Sequence, residues 1–108
     1  MTFPLINSTY LGAWRADLRD VNEITFKRLG RNLDAYAGNV SERLALDAKQ
    51  EASLSQALSA SRDFIERCHS KSIVETARSL PSHAVATQRL EALIASLDGV
   101  QLRTDDFL

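Results

Sequence analysis

Apolar residues recur at helical spacing along most of the chain. The first stripe steps by three or four residues, which places its members on one face of a helix. It consists of Leu11, Trp14, Leu18 and Val21. After a step of five residues a second stripe continues with the same spacing, and it consists of Phe26, Leu29, Leu33, Tyr36 and Val40. The step predicts that the apolar face wraps, or that the helix kinks, between the two stripes.

The first helix is predicted to span about residues 9 to 37. Ser8 or Thr9 can cap its start, and Gly38 suits its end because glycine adopts the left-handed conformation at little cost. Asn39 and Glu42 have capping-box spacing, which predicts a new helix from about residue 40. One uninterrupted helix with a tolerated glycine remains the alternative, since a glycine inside a helix costs only about 1 kcal/mol.

The second helix is predicted over about residues 40 to 79, and it is only weakly amphipathic. Its apolar stripe consists of Leu44, Ala48, Leu54, Leu58, Ile65 and Cys68, with Phe64 alongside. Ser61 and Ser72 stand where a heptad would place a large apolar side chain. Ser72 and Glu75 also have capping-box spacing, so the helix has a second possible break there.

Pro81 separates this helix from a third one, because proline in a helix interior loses a hydrogen bond and clashes with the preceding turn. Proline is favoured at the first turn, which puts Ser79 or Leu80 at the cap, and we expect the hydroxyl of Ser79 or Ser82 to do the capping. The third helix is predicted over about 81 to 98, ending at Gly99.

The fold class predicted from these patterns is all-α. We expect an elongated up-down helical bundle of two long helices plus a shorter third helix. The 108 residues fit a single helical domain over 1–108, with residues 1–8 as an N-terminal arm and 99–108 as a flexible tail. Aromatic residues make up only 6% of the chain, so the core should be thin and built mainly from aliphatic side chains.

Charge and cysteine content narrow the function classes. With 13 basic and 14 acidic residues the net charge is −1, which gives no electrostatic reason to expect nucleic-acid binding. The single cysteine, Cys68, suits a reducing compartment, so we expect a cytoplasmic protein. No apolar run reaches the length of a transmembrane segment or of a signal peptide.

Two constellations could carry chemistry, and both are weak. Ser79, Ser82 and His83 have the residue types of a nucleophilic site, but the side chains of adjacent positions 82 and 83 diverge in a helix and no strained nucleophile turn is present. Cys68, His69 and His83 offer too few ligands for a typical zinc site. We expect His83 to be an exposed residue in the first turn of the third helix, and Cys68 to be a small core residue. Asp105 and Asp106 are an expected solvated pair. We therefore predict no catalytic, cofactor-binding or metal-binding residues, and no enzyme activity.

A family resemblance covers about residues 20 to 95. The stretch "ALSASRDFIERCHSKSIVETARSLPSHAVATQRLEAL" resembles the phasins, proteins that coat polyhydroxyalkanoate storage granules in bacteria. The shared features are a long Ala-rich helix, a break at Pro81, and a following helix with Gln88 in an apolar pattern. The upstream stretch "VNEITFKRLGRNLDAYAGNVSERL" resembles the first helix of that family. The resemblance implies no cofactor and no catalytic residues.

Two functions are therefore expected. The first is a non-enzymatic amphipathic helical protein that coats a hydrophobic granule surface, as phasins do, and forms a homo-oligomer. The second is a helical adaptor or secretion chaperone that binds a partner protein. Trp14 is expected to be a core anchor or, alternatively, an anchor in a partner surface. The predicted interaction face comprises Trp14, Leu44, Leu54, Leu58, Phe64 and Ile65.

Overall fold

The regular elements of the computed structural model are all helical, which confirms the predicted fold class. The structure describes residues 9–68, 77–97 and 100. Helix α1 spans Thr9–Arg19, α2 spans Glu23–Arg43, α3 spans Ala48–Arg67, and α4 spans Pro81–Ser96, after a short 3₁₀ turn over Ala77–Ser79. The predicted arm, the possible break at Ser72 and the predicted stop at Gly99 lie outside the described residues. Of the predicted flexible tail only Val100 is described, and there the prediction is wrong, because Val100 is buried in the core.

The predicted continuous helix over residues 9 to 37 is wrong, because the chain begins a new helix at Asn22. The Asn22 side chain accepts hydrogen bonds from the backbone N–H groups of Ile24 and Thr25, at 2.9 and 3.0 Å. The Thr25 hydroxyl in turn accepts from the Asn22 N–H at 2.8 Å. This reciprocal cap satisfies donors that the first turn of a helix otherwise leaves without partners. The five-residue step between the apolar stripes therefore marks a helix boundary.

The predicted break at Gly38 is also wrong, because the helix tolerates this glycine, but the alternative of one uninterrupted helix is wrong as well. Helix α2 runs through Gly38 and Asn39 to Arg43. Its actual successor begins at Asp47, whose side chain accepts from the Gln50 N–H at 2.8 Å while the Gln50 side chain accepts from the Asp47 N–H at 2.9 Å. The second predicted helix is therefore two elements: its first residues belong to α2, and α3 ends at Arg67 rather than near 79.

Pro81 starts α4 as predicted, and of the two serines expected to cap it, Ser82 does not, because its hydroxyl has no partner among the described residues. Leu80 is the N-cap, with extended backbone at φ −73° and ψ 138°, the region favoured before proline. It makes no side-chain capping hydrogen bond. In place of the predicted two long helices and a shorter third, the described residues form helices of 11, 21, 20 and 16 residues.

The core lies along the inner faces of these four helices. Both predicted stripes are buried apart from the half-buried Phe26, and together with residues of α3 and α4 they form one apolar cluster. Small residues fill several core positions, namely Ala37, Ala57, Ser61, Ala77 and Ala86. The principal extents of the molecule are 46 × 23 × 18 Å.

Candidate functional site: the seam between two helix pairs

The four helices associate as two pairs. Helix α1 packs mainly against α2, and α3 packs mainly against α4, whereas the α2–α3 and α1–α4 contacts are each smaller. Residues 44–47 join the pairs along the chain. We call the interface between the α1–α2 pair and the α3–α4 pair the seam.

Trp14 lies in this seam and is fully buried. Its indole Nε1–H donates to the Ser61 hydroxyl of α3 at 3.0 Å. Ser61 is also fully buried, so each side chain supplies the partner that the other needs away from water. This contact explains why a small polar residue occupies a position where the pattern favoured a large apolar one: a larger side chain would meet the indole.

Phe64 is the second large side chain in the seam, and it is likewise fully buried. Its ring meets Phe26 of α2 edge to face, with centroids 6.1 Å apart, and meets His83 of α4 at 5.2 Å. Full burial of an aromatic side chain contributes about 1.5–3 kcal/mol, and aromatic pairs add about 0.5–1.5 kcal/mol. Phe64 therefore connects both helix pairs.

His83 contacts the seam by a hydrogen bond as well as by its edge contact with the Phe64 ring. Its Nε2 lies 2.7 Å from the Leu18 carbonyl oxygen of α1. Because a carbonyl oxygen only accepts, Nε2 must carry the proton. The expectation that His83 is an exposed first-turn residue is therefore wrong, since it is half-buried against two other helices. The buried hydroxyl of Ser82 has no hydrogen-bond partner among the described residues, which include His83, so His83 does not activate it.

In the part of the chain that the structure describes, two ion pairs also cross the seam, nearer to the surface. Arg15 of α1 donates to Glu91 of α4 at 2.7 Å, and both side chains are about one-third exposed. Arg62 of α3 pairs with Asp34 of α2, and both of these are exposed. Exposed pairs of this kind contribute about 0–1 kcal/mol each. Closure of the seam therefore depends mainly on burying Trp14 and Phe64.

A buried polar cluster fastens the α1–α2 pair internally. The fully buried carboxylate of Asp17 accepts from Arg28, with Nε at 2.8 Å, and from the Tyr36 hydroxyl at 2.9 Å. Hydrogen bonding to Asp17 and its negative charge raise the pKa of Arg28. Burial, reinforced by the bond to Asp17, raises the pKa of Tyr36. Separation of α1 from α2 would take both of these partners away from the Asp17 carboxylate, so the cluster opposes separation of the two helices.

The predicted interaction face is largely inside the molecule. Trp14, Leu44 and Phe64 have no more than 1% exposure, and Leu54 has 8%. Leu58 and Ile65 are partly buried and pack against the core. For Trp14 this corresponds to the core-anchor alternative. As folded, these six residues do not form an exposed apolar surface. The large hydrophobic side chains that are exposed in the described part of the chain are Tyr10, Ile24 and Val85.

Cys68 caps the end of α3 and is buried, as expected of a small core residue. Burial raises the pKa of its thiol, which lowers its reactivity. Across the described residues, no group of three or more His, Cys, Asp or Glu side chains converges in a way that could hold a metal ion. His69, Asp105 and Asp106 lie outside those residues.

The outer face of α3 carries a shallow open groove of about 300 Å³. It is lined by Ser55, Leu58, Ser59, Arg62, Asp63 and Glu66. These residues repeat at three- and four-residue intervals, so they form one stripe of the helix. The stripe is mostly polar, with Leu58 as its one large apolar member.

Sequence reasoning missed Asp17 and the role of Ser61. Asp17 sits next to Leu18 of the first stripe, and nothing in the spacing distinguishes it from a surface acid. A buried acid with two donors eleven and nineteen residues further along the chain becomes visible only when α1 and α2 are packed. Ser61 was noticeable in the sequence as a polar residue within the apolar stripe of the predicted second helix. The stripe does not show which donor the Ser61 hydroxyl meets.

No helix in the described parts of the chain is both long enough and apolar enough to span a membrane. No protein-family model, curated protein or solved structure matches the chain.

Proposed function

We propose that this chain is a non-enzymatic binding protein for a hydrophobic surface, acting as phasins do on polyester granules. The observation that carries the proposal is that the two largest buried side chains, Trp14 and Phe64, lie in the seam between the helix pairs. A hydrophobic surface could replace the burial that each helix pair gives the other. Cytoplasmic location and assembly into a homo-oligomer are parts of the same proposal.

The experiment measures partition of the purified protein onto polyhydroxybutyrate particles, at several concentrations. We expect saturable binding that is insensitive to salt, because apolar burial is not screened as charge attraction is. Protein that stays wholly in the supernatant at every particle concentration would refute the function.

Leu58 and Ser59 provide a matched pair of variants on α3. Leu58 is partly buried and belongs to the predicted interaction face, whereas its neighbour Ser59 is exposed. Leu58→Asp should weaken binding to the particles, and Ser59→Asp should leave it unchanged. Circular dichroism of both variants shows whether the helices persist. Equal binding by the two variants would place the contact elsewhere.

A second function, an adaptor that binds one partner protein, is supported by the groove on α3. The stripe from Ser55 to Glu66 is open and combines one apolar residue with charges of both signs. A partner helix of complementary charge could lie along it. A photo-reactive residue in place of Ser59 should then attach to one protein, and excess unlabelled chain should compete this away. Under this function the chain would not bind the particles.

A further inference from the structure

The seam has the properties of an interface that can open while each helix pair stays intact. Each helix packs more extensively against the other helix of its own pair than against either helix across the seam. The α1–α2 pair is held by the buried Asp17 cluster, and the α3–α4 pair by contacts that include Gln50 Nε2 to the Ser96 carbonyl oxygen at 2.8 Å. Separation within the α1–α2 pair would strip a buried carboxylate of its partners.

Across the seam, exchanging the described polar contacts for water costs less free energy than breaking the buried Asp17 cluster would. They include the two surface ion pairs, the Trp14–Ser61 bond and the His83–Leu18 bond. None of them holds a fully buried charge, because Arg15, Glu91, Arg62 and Asp34 all reach solvent already. Residues 45–47, which lie between the buried Leu44 and the start of α3, are the connection about which the pairs would turn.

We infer that the molecule opens along the seam as two intact helix pairs turning about residues 45–47, and that this opening presents Trp14 and Phe64 to a hydrophobic surface. The inference rests on the proposed function for its ligand, but the opening is a property of the free protein. A surface that binds only the open form shifts the population toward it.

Two pairs of exposed side chains allow the opening to be blocked selectively. Asp34 and Arg62 contact each other across the seam, and Gln56 and Arg89 contact each other at 3.4 Å within the α3–α4 pair. In a Cys68→Ala background, Asp34→Cys with Arg62→Cys, joined by a short bis-maleimide, bridges the seam. Gln56→Cys with Arg89→Cys, joined by the same reagent, is the matched control.

The opening is measured first without any ligand. Trp14 is the only tryptophan, so its indole N–H gives one signal whose hydrogen exchange reports loss of the Ser61 bond. The seam bridge should slow this exchange at least about tenfold relative to the control bridge, because it removes sub-global opening. Equal exchange in the two bridged proteins would overturn the opening, whatever the binding result.

Partition onto polyhydroxybutyrate particles then separates the opening from the function. The seam bridge should reduce the amount bound at least about tenfold, and the control bridge should not. If the seam bridge slows exchange but no form binds particles, the opening stands and the proposed function fails. If both bridged proteins bind as the unbridged one does, the surface takes the closed form and the opening has no role in binding, which overturns the inference.

Discussion

The Ser61 hydroxyl occupies a core position and accepts the hydrogen bond of the buried Trp14 indole. Removing the hydroxyl leaves the buried indole N–H without an acceptor, and an unsatisfied buried donor costs about 1–3 kcal/mol. We therefore expect Ser61→Ala to lower the free energy of unfolding by about that amount in urea denaturation. Ser59→Ala, at an exposed position two residues earlier, is the control and should change stability little. Similar losses in both variants would contradict a role for the bond.

Tyr36 gives the protein a dependence on alkaline pH. Burial raises its pKa above the usual 10.0, so the folded state keeps the phenol proton where the unfolded state loses it. The stability that this provides is complete below about pH 10 and declines as pH rises through the folded pKa. The thiol of Cys68 has a raised pKa for the same reason and acts in the same direction from about pH 9.

Tyr36→Phe tests this reasoning, in a Cys68→Ala background that removes the thiol. At neutral pH the variant should lose about 1–2 kcal/mol, because Asp17 loses one hydrogen-bond donor. Between pH 9 and 11.5 (roughly the window of phenol ionisation) its stability should fall less steeply than that of the Tyr36 parent. Parallel curves from urea denaturation at each pH would contradict the raised pKa.

At the scale of the helices, a capping residue can be compared with a residue that has the same sequence signature but lies inside a helix. Asn22 caps α2, so Asn22→Ala should cost about 1 kcal/mol. Asn39 has the same sequence signature but lies inside α2, so Asn39→Ala should be neutral or slightly stabilising because alanine is the better helix former. Thermal unfolding of both variants distinguishes them. The reverse order of stabilities would restore the break at Gly38.

Gly38 leads to a prediction in the stabilising direction. An added Cβ there would meet no atom within 4 Å, and the position is interior to α2. Gly38→Ala should therefore raise the free energy of unfolding by about 0.5–1 kcal/mol, largely by restricting the unfolded chain. Ala35→Gly, an exposed position on the same helix, should cost about the same amount. A destabilising Gly38→Ala would show that the chain needs flexibility here.

The helix boundaries show how far local pattern reaches. The apolar stripes identified the buried faces of α1 and α2 because burial needs only helical spacing. They did not locate the breaks, since Asn39–Glu42 and Asn22–Thr25 are similar short signals and the competing tertiary contacts decide between them. Pro81 was placed correctly because the proline ring and the missing N–H exclude it from a helix interior, whatever packs around it.

At the scale of the whole molecule, Phe64 joins the two helix pairs through Phe26 and His83. Phe64→Ala should cost about 3–5 kcal/mol, which is a large share of the stability of a small domain. Phe64→Leu retains more of the apolar volume and should remain folded if the alanine variant does not. Ile65→Ala, at a partly exposed neighbour, should cost clearly less in the same urea experiment. Equal costs would show that the seam does not depend on Phe64.

The sequence by itself determined that this protein is helical, where α4 begins, and which stripes of α1 and α2 are buried, because spacing and proline geometry act locally. Only the tertiary structure decided that Trp14 and Phe64 face inward across the seam, that Ser61 accepts the indole hydrogen bond, and that Asp17 holds α1 to α2. An apolar or acidic residue has no preferred partner along the chain. Its role is fixed only when distant helices bring a donor, a ring or a cavity to it.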